Sequence, residues 1–410
     1  MQKEQTDILI IGAGPAGCVA ASLVNKAGFK ARIVDRAKFP RFVIGESLLP
    51  RCMDHFEEAG FLDALKSQGY QVKHGAVFLK DDKRCEFEFS EQFTKGYEWT
   101  WQIPRDHFDN VLAEEVQKMG VPIDFETTVT NVEFEGSNST TTVTDKDGNE
   151  KQIKAKFVID SSGYGRVLPR LLDLNIPSDQ KARSTMFTQF KDENRPDNPD
   201  ANRIVIVSHT PDVWIWIIPF SNGFTSVGFV GNPEFFEGRE GSKEEILRSM
   251  LANEPKTIER FSKAEMKFDP VMINGYSISV KQLYGDGFAL TGNASEFLDP
   301  VFSAGVTFAT ETGSIAAKLA CRQLKGEDIN WDEEYVKPVI DGIDVFRTYI
   351  NGWYDGTIQK IFFADDPGQG NKNMICSVLA GYVWDQNNPY VNKHKKRVET
   401  LAKVIEIQSA

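Results

Sequence analysis

The sequence predicts an α/β fold: a mostly parallel-sheet domain is interleaved along the chain with an antiparallel-sheet domain and followed by a mostly helical region. Three observations carry this. An apolar run near the N-terminus stops at once on glycines and resumes as a helical pattern and then a second apolar run. Two later stretches alternate apolar and polar residues at period two, and the alternation is gone after residue 331. On this reading residues 1–80, 103–182 and 275–330 form the parallel-sheet domain. Residues 81–102 and 183–274 form the antiparallel one, and 331–410 the helical region.

In order, "DILII" at 7–11, the helical pattern of 15–28 and "ARIVD" at 31–35 make a strand, turn, helix, strand unit. Phe108, Val111, Leu112 and Val116 recur at helical spacing in 105–119. From 126 to 160 the chain alternates around a "DKDGN" turn, predicting a short antiparallel meander that ends in "KFVIDSSG". Residues 183–232 alternate again and are rich in Trp, Phe, Val and Ile. Within them "DVWIWIIPF" puts Trp214 and Trp216 on one strand face and ends at Pro219. Residues 305–323 return to helix after a glycine-containing turn.

The 410 residues carry a net charge of −12, which argues against phosphate-backbone recognition, so no nucleic-acid partner is expected. The basic run Lys393 to Arg397 reads as a solvated helix face. Five scattered cysteines without metal spacing read as packed, reduced thiols of a cytoplasmic protein, and no metal site is expected. The N-terminal apolar run is too short, and too broken by glycine, for a signal peptide or stable membrane insertion.

Gly12, Gly14 and Gly17 form G-x-G-x-x-G between the first strand and helix, and Asp35 closes the second strand. Such glycines let backbone approach a pyrophosphate at a helix N-terminus, and the acid accepts from a ribose hydroxyl. This is the Rossmann-like dinucleotide turn, used by NAD and FAD alike. Three further segments favour FAD: "VIDSSGYGR" at 158–166, "GDGFALTGNASEFLDPVFSAGVTFA" at 285–309, and Arg105 at the head of its helix.

On these residues the chain resembles an FAD-dependent monooxygenase of the aromatic-hydroxylase fold over nearly its whole length. The resemblance implies a non-covalent FAD cradled by the turn with Pro15 and Ala16, by Arg36 and Arg105, and by Ser162 and Gly163. It adds Asn293, Asp299, Pro300, Gly305 and Val306. One departure is Gly292-Asn293 where the family has Gly-Asp; Asn can still bond a ribityl hydroxyl.

Within that fold, "IGESLLP" (44–50), "KHGAVF" (73–78), "WIWIIP" (214–219) and "DPVFSAGV" (299–306) resemble the flavin-dependent halogenase branch. There the lysine of the second segment, here Lys73, holds the hypohalous acid that reduced FAD, O2 and halide generate. Glu46 is the second candidate catalytic residue, to orient a water or the flavin ring unless it bonds the backbone of its own loop. Ser303, Ala304 and Gly305 would supply N–H groups to chloride or bromide, although related branches often carry a hydroxyl residue where Ala304 stands. Trp214, Trp216, Pro219 and Phe302 would wall the substrate pocket. Phe302 stands where tryptophan halogenases carry a glutamate, so the resemblance is to the phenol and pyrrole types. A desolvated lysine facing a cavity has a lowered pKa, which suits this role.

The expected function is therefore halogenation of an electron-rich aromatic or partly apolar small molecule, free or tethered to a carrier protein, with a separate flavin reductase. Geranylgeranyl (polyprenyl) reductases of this fold carry a similar aromatic strand. Aromatic hydroxylation, lipid-type reduction and a non-catalytic flavin-binding role in a biosynthetic complex thus stay open.

Overall fold

Ile8–Ile11 is buried at every position and runs through the middle of a six-stranded sheet. Ala31–Val34 pairs with it on one side and Phe157–Asp160 on the other, both parallel. Ile123–Asp124 and Phe288–Leu290 extend the parallel pairing outward, and Tyr284–Gly285 closes one edge in the antiparallel sense. Continuous apolar strands are what a sheet covered on both faces requires. Helix Pro15–Lys26 packs on this sheet and against the long helix Ala304–Leu324. The two helices meet closely at Gly313, where a Cβ would fall 2.6 Å from the Ala16 carbonyl oxygen. The computed structural model describes residues 2–275 and 278–408; Tyr276 and Ser277, inside the 275–330 segment assigned above, lie outside them.

The meander is three strands, Thr127–Glu135, Asn138–Asp145 and Glu150–Ala155, completed by Gln2–Gln5. Its last predicted strand leaves for the parallel sheet, since Phe157–Asp160 is buried throughout, with three apolar residues in succession, and cannot present a solvated face.

A seven-stranded sheet holds the second alternating region. Its order is Val271–Asn274, Ser184–Lys191, Phe224–Gly231, Val213–Pro219, Val205–Thr210, Gly75–Lys80 and Lys83–Glu88. The division placed at residue 80 therefore falls inside a hairpin: Gly75–Lys80 pairs residue by residue with Lys83–Glu88, so the sheet begins at Gly75. Alternation sorts the tryptophan strand as expected. Trp214, Trp216 and Ile218 join the large core shared with the nucleotide-turn side, whereas Val213, Ile215 and Ile217 join a second core.

The C-terminal region is helical, with helices Lys337–Tyr354, Thr357–Phe362, Gln369–Leu379 and His394–Gln408. Lys393, Lys395, Lys396 and Arg397 are exposed. All five cysteines are buried and unpaired. Among the described residues no helix is long and apolar enough to cross a membrane, and no group of His, Cys, Asp and Glu could hold a metal ion.

Candidate active site

A cavity of about 420 Å³ runs from the glycine turn, past the C-terminal ends of the parallel strands, to the face of the seven-stranded sheet. Its size is that of a cofactor site. At one end lie Gly12, Gly14, Pro15 and Ala16 together with Asp35 and Arg36. Gly12 has φ +103°, and a Cβ there would meet the Ser161 carbonyl oxygen at 2.5 Å. Gly17 does not line the cavity. It lets the helix start against the turn, since its Cβ would lie 1.9 Å from the Gly12 oxygen. Asp35 Oδ2 accepts from the Ala13 N–H at 2.8 Å and Oδ1 from the Ala37 N–H at 2.8 Å, so the acid also fixes the turn's shape.

The middle is built by Ser162 and Gly163 from one strand end and by Asn293, Pro300, Ser303, Gly305 and Val306 from the segment entering the long helix. Asp160 holds the first of these segments by accepting from the Ser162 and Leu168 N–H groups at 2.9 and 2.7 Å. Arg166 holds the second by donating to the Asn293 carbonyl at 2.9 Å.

These residues fit a bound FAD. Helix Pro15–Lys26 starts at Gly14 with no side-chain cap, leaving its first N–H groups to an outside acceptor. A Cβ on Gly163 or Gly305 would enter open space. Arg105, beside Gly45, and Arg41, beside Gly14, both line the cavity and pair with the fully buried Asp109, at 2.8 and 2.9 Å, so two cations share one carboxylate. The excess positive charge suits a pyrophosphate.

The far end is built around the loop of 44–50. It lies along strand Thr100–Gln102 through Ile103 N–H to Glu46 O (2.8 Å) and Leu48 N–H to Trp101 O (3.1 Å). Arg105 Nη1 clamps it from the other side by donating to the carbonyls of Ile44 and Gly45, at 3.0 and 3.2 Å. Glu46 lines the cavity and is 2 % exposed. Its partner is not its own loop: Oε1 accepts from Gln189 Nε2 at 2.5 Å. Burial raises its pKa to about 7, against the pull of Ser226, Gln189 and Arg105.

Lys73 corrects an expectation. Its ammonium does not line the cavity; it is buried one layer behind, donating to Ser47 Oγ at 2.9 Å and to the Leu48 carbonyl at 2.8 Å. The cause is pairing of strand Gln71–Lys73 with Thr100–Gln102, which turns Lys73 under the loop; of its two partners Ser47 reaches the cavity and Leu48 does not. Burial lowers the lysine's pKa to about 7.

Trp214 and Trp216 line the cavity with Ile218, their ring centroids 5.9 Å apart. Pro219 does not, because it sits one residue out of phase; its carbonyl accepts from Gln102 at 2.5 Å. Phe302 does not either: its ring joins Phe78, Trp353 and Phe362, with centroids 6.1 to 6.2 Å away. Ala304 is wholly buried, so among the three halide candidates only Ser303 and Gly305 reach the cavity. Asp299 does not line the cavity but braces its turn. Oδ1 accepts from Val301 N–H at 3.1 Å and Oδ2 from Tyr354 OH at 2.9 Å, and Tyr354 in turn accepts from the Trp214 indole at 2.9 Å.

Sequence reading missed Gln189, Ser226, Arg41 and Tyr354. A signal existed for one of them. Gln189 stands in "STMFTQFK", a strand otherwise of small and apolar residues with one terminal charge, and a buried amide there must have a partner.

The indole of Trp216 lies across Gly228, its partner in register, where an added Cβ would meet Trp216 Cζ2 at 2.2 Å. Gly228→Ala is expected to displace the indole from the cavity wall and lower stability by about 1–3 kcal/mol. A urea denaturation curve followed by tryptophan fluorescence measures both effects.

The FAD binding domain family model matches residues 5–320. A crystal structure described as a flavoprotein/dehydrogenase from Cytophaga hutchinsonii is 56 % identical, with a TM-score of 0.97, covering 99 % of this chain and 100 % of that one. The 1H-pyrrole-2-carbonyl-(peptidyl-carrier protein) chlorinase of Pseudomonas fluorescens is 26 % identical over 100 % of this chain and 94 % of its own length. The corresponding brominase of Pseudoalteromonas luteoviolacea is 28 % identical over 78 % and 79 %. The flavin-dependent brominase Bmp2, at 24 % identity, shares the fold with a TM-score of 0.84, covering 99 % of each chain. The chain belongs to the FAD binding domain family and is similar over most of its length to flavin-dependent halogenases.

Proposed function

We propose that the protein halogenates an electron-rich aromatic ring, taking reduced FAD from a separate reductase. The observation that carries this reading is the buried lysine behind Ser47, at the end of the cavity opposite the nucleotide turn. Bound in reduced form, FAD supplies the two electrons with which O2 converts halide to hypohalous acid and water. The protein's residues then bind, orient and exclude water. Ser303, with φ +59°, turns the chain into a helix that has no side-chain cap, so the N–H groups at its start are free donors for a halide. The Lys73 ammonium donates to Ser47 Oγ and the Leu48 carbonyl behind the cavity wall, and the Ser47 hydroxyl, which lines the cavity, keeps its own proton to polarise hypohalous acid for transfer. The ring gains halogen, and its displaced proton leaves with the hydroxide as water. Because two relatives act on pyrrolyl groups held on a peptidyl-carrier protein, a carrier-tethered aromatic is the substrate class we favour.

A second reading is direct hydroxylation or reduction. It is favoured by Trp214 and Trp216 lining the same cavity as the glycine turn, while Lys73 stands outside it. One assay separates the two. Protein, FAD, a flavin reductase, NADH, bromide and a phenol should give a product heavier by bromine in place of hydrogen. A product heavier by oxygen and formed without halide would overturn halogenation.

A further inference from the structure

Glu46 is a buried carboxyl with one satisfied oxygen and one that is not. Oε1 accepts from Gln189 Nε2, whereas Oε2 is buried with no partner and belongs to a residue that lines the cavity. The direction of the Gln189 amide is settled by its other end. Lys267 Nζ lies 3.1 Å from Gln189 Oε1, and an ammonium can only donate, so the amide must show its oxygen to Lys267 and its N–H to Glu46. A second side is consistent with this. The Trp216 indole N–H, also donor-only, donates to Ser226 Oγ at 3.0 Å, which leaves the Ser226 hydroxyl proton free to turn towards the Glu46 carboxyl, whose ionised form it favours.

We infer that Gln189, held by Lys267, is a positioning residue that confines the Glu46 proton to Oε2, and that Glu46 thereby donates a hydrogen bond to an acceptor oxygen or nitrogen of the molecule in the cavity. A carboxylate oxygen left there without a donor would carry a large desolvation cost, whereas an O–H meeting a ring carbonyl or ring nitrogen is satisfied. The acceptor belongs either to the flavin ring system or to a carbonyl-bearing aromatic substrate. Arg105 favours the ionised form and Asp106 opposes it, and Lys267 is the further cation of the relay, at 3.1 Å from Gln189. This rests on FAD binding alone and not on halogenation.

FAD should be titrated into the full-length protein from pH 5.5 to 8.5 without halide or reductant, following flavin fluorescence. The dissociation constant should rise as Glu46 ionises, by up to about tenfold per pH unit. Glu46→Gln keeps a donor and should flatten the profile near its low-pH value; Glu46→Leu should bind weakly throughout. Gln189→Leu removes a donor to the carboxyl and should move the midpoint to higher pH, which a merely structural defect would not do. A second titration adds a para-hydroxyphenyl ketone to FAD-loaded protein. A Glu46-linked midpoint appearing only there assigns the donor to the aromatic substrate and still supports the inference. Parallel profiles for wild type and Glu46→Gln in both titrations overturn it, as does a Glu46→Gln variant as weak as Glu46→Leu. Either result leaves the halogenation assay unaffected.

Discussion

Lys73→Ala is expected to cut halogenated product by about 10²–10⁴-fold, the range associated with losing a positioned proton donor, while oxygen still consumes reduced flavin. The reason lies in what the ammonium touches. Nothing else behind the cavity wall can replace it: Ser47 Oγ and the Leu48 carbonyl are its acceptors, and the Phe89 ring lies 5.5 Å from Nζ. Lys73→Met fills the same space without a donor and separates chemistry from packing. It should be as inactive as the alanine variant yet retain the wild-type circular dichroism spectrum. The pH profile adds a sign. Burial has brought the Lys73 pKa down to about 7, so if the ammonium form is the one required, product formation in the wild type falls as pH rises above about 7. Wild-type yields from Lys73→Met, with bromide and a phenol, would remove this lysine from the chemistry.

What could be read from sequence is what depends on neighbours in sequence. The glycine turn, its helix and Asp35 are local, and each lies where the pattern put it. Alternation likewise placed Trp214 and Trp216 together on the cavity face. The same parity argument, applied one residue further, would have removed Pro219 from that wall. The errors concern long-range register. Lys73 is hidden because Gln71–Lys73 pairs with a strand beginning at Thr100, and no local pattern states that pairing. Glu46 meets Gln189 across 143 residues, and Tyr354 reaches Asp299 from a helix whose periodicity says only that one face is buried. Phe302 fails for a different reason. A three-residue turn has no face that periodicity can assign, and the ring follows the aromatic cluster beneath it.

Glu46→Gln is expected to stabilise the FAD-free protein at pH 8 by about 3 kcal/mol relative to pH 4.5, the value of a carboxyl pKa raised from 4.5 to about 7. The folded state holds its proton to higher pH than the unfolded chain does. The stability this contributes is therefore complete below about pH 4.5 and lost as pH rises through about 7. Glutamine carries no such proton, so its advantage over wild type should open across that window and stay constant above it. Lys73 imposes the opposite slope. Its pKa is lowered from 10.5 to about 7, so its buried charge is a full penalty below about pH 7, relieved as pH climbs towards 10.5. Lys73→Met should therefore gain most on the acid side, where Glu46→Gln gains least. Urea denaturation of wild type and both variants at half-unit steps from pH 4.5 to 9.5 would resolve the two slopes. A constant offset between wild type and Glu46→Gln across that range would mean that the folded protein binds no more protons at Glu46 than the unfolded chain. The carboxyl would then already be ionised in the cavity wall, and Arg105, the cation that favours its charged form, would have to hold that charge against the cost of burying it.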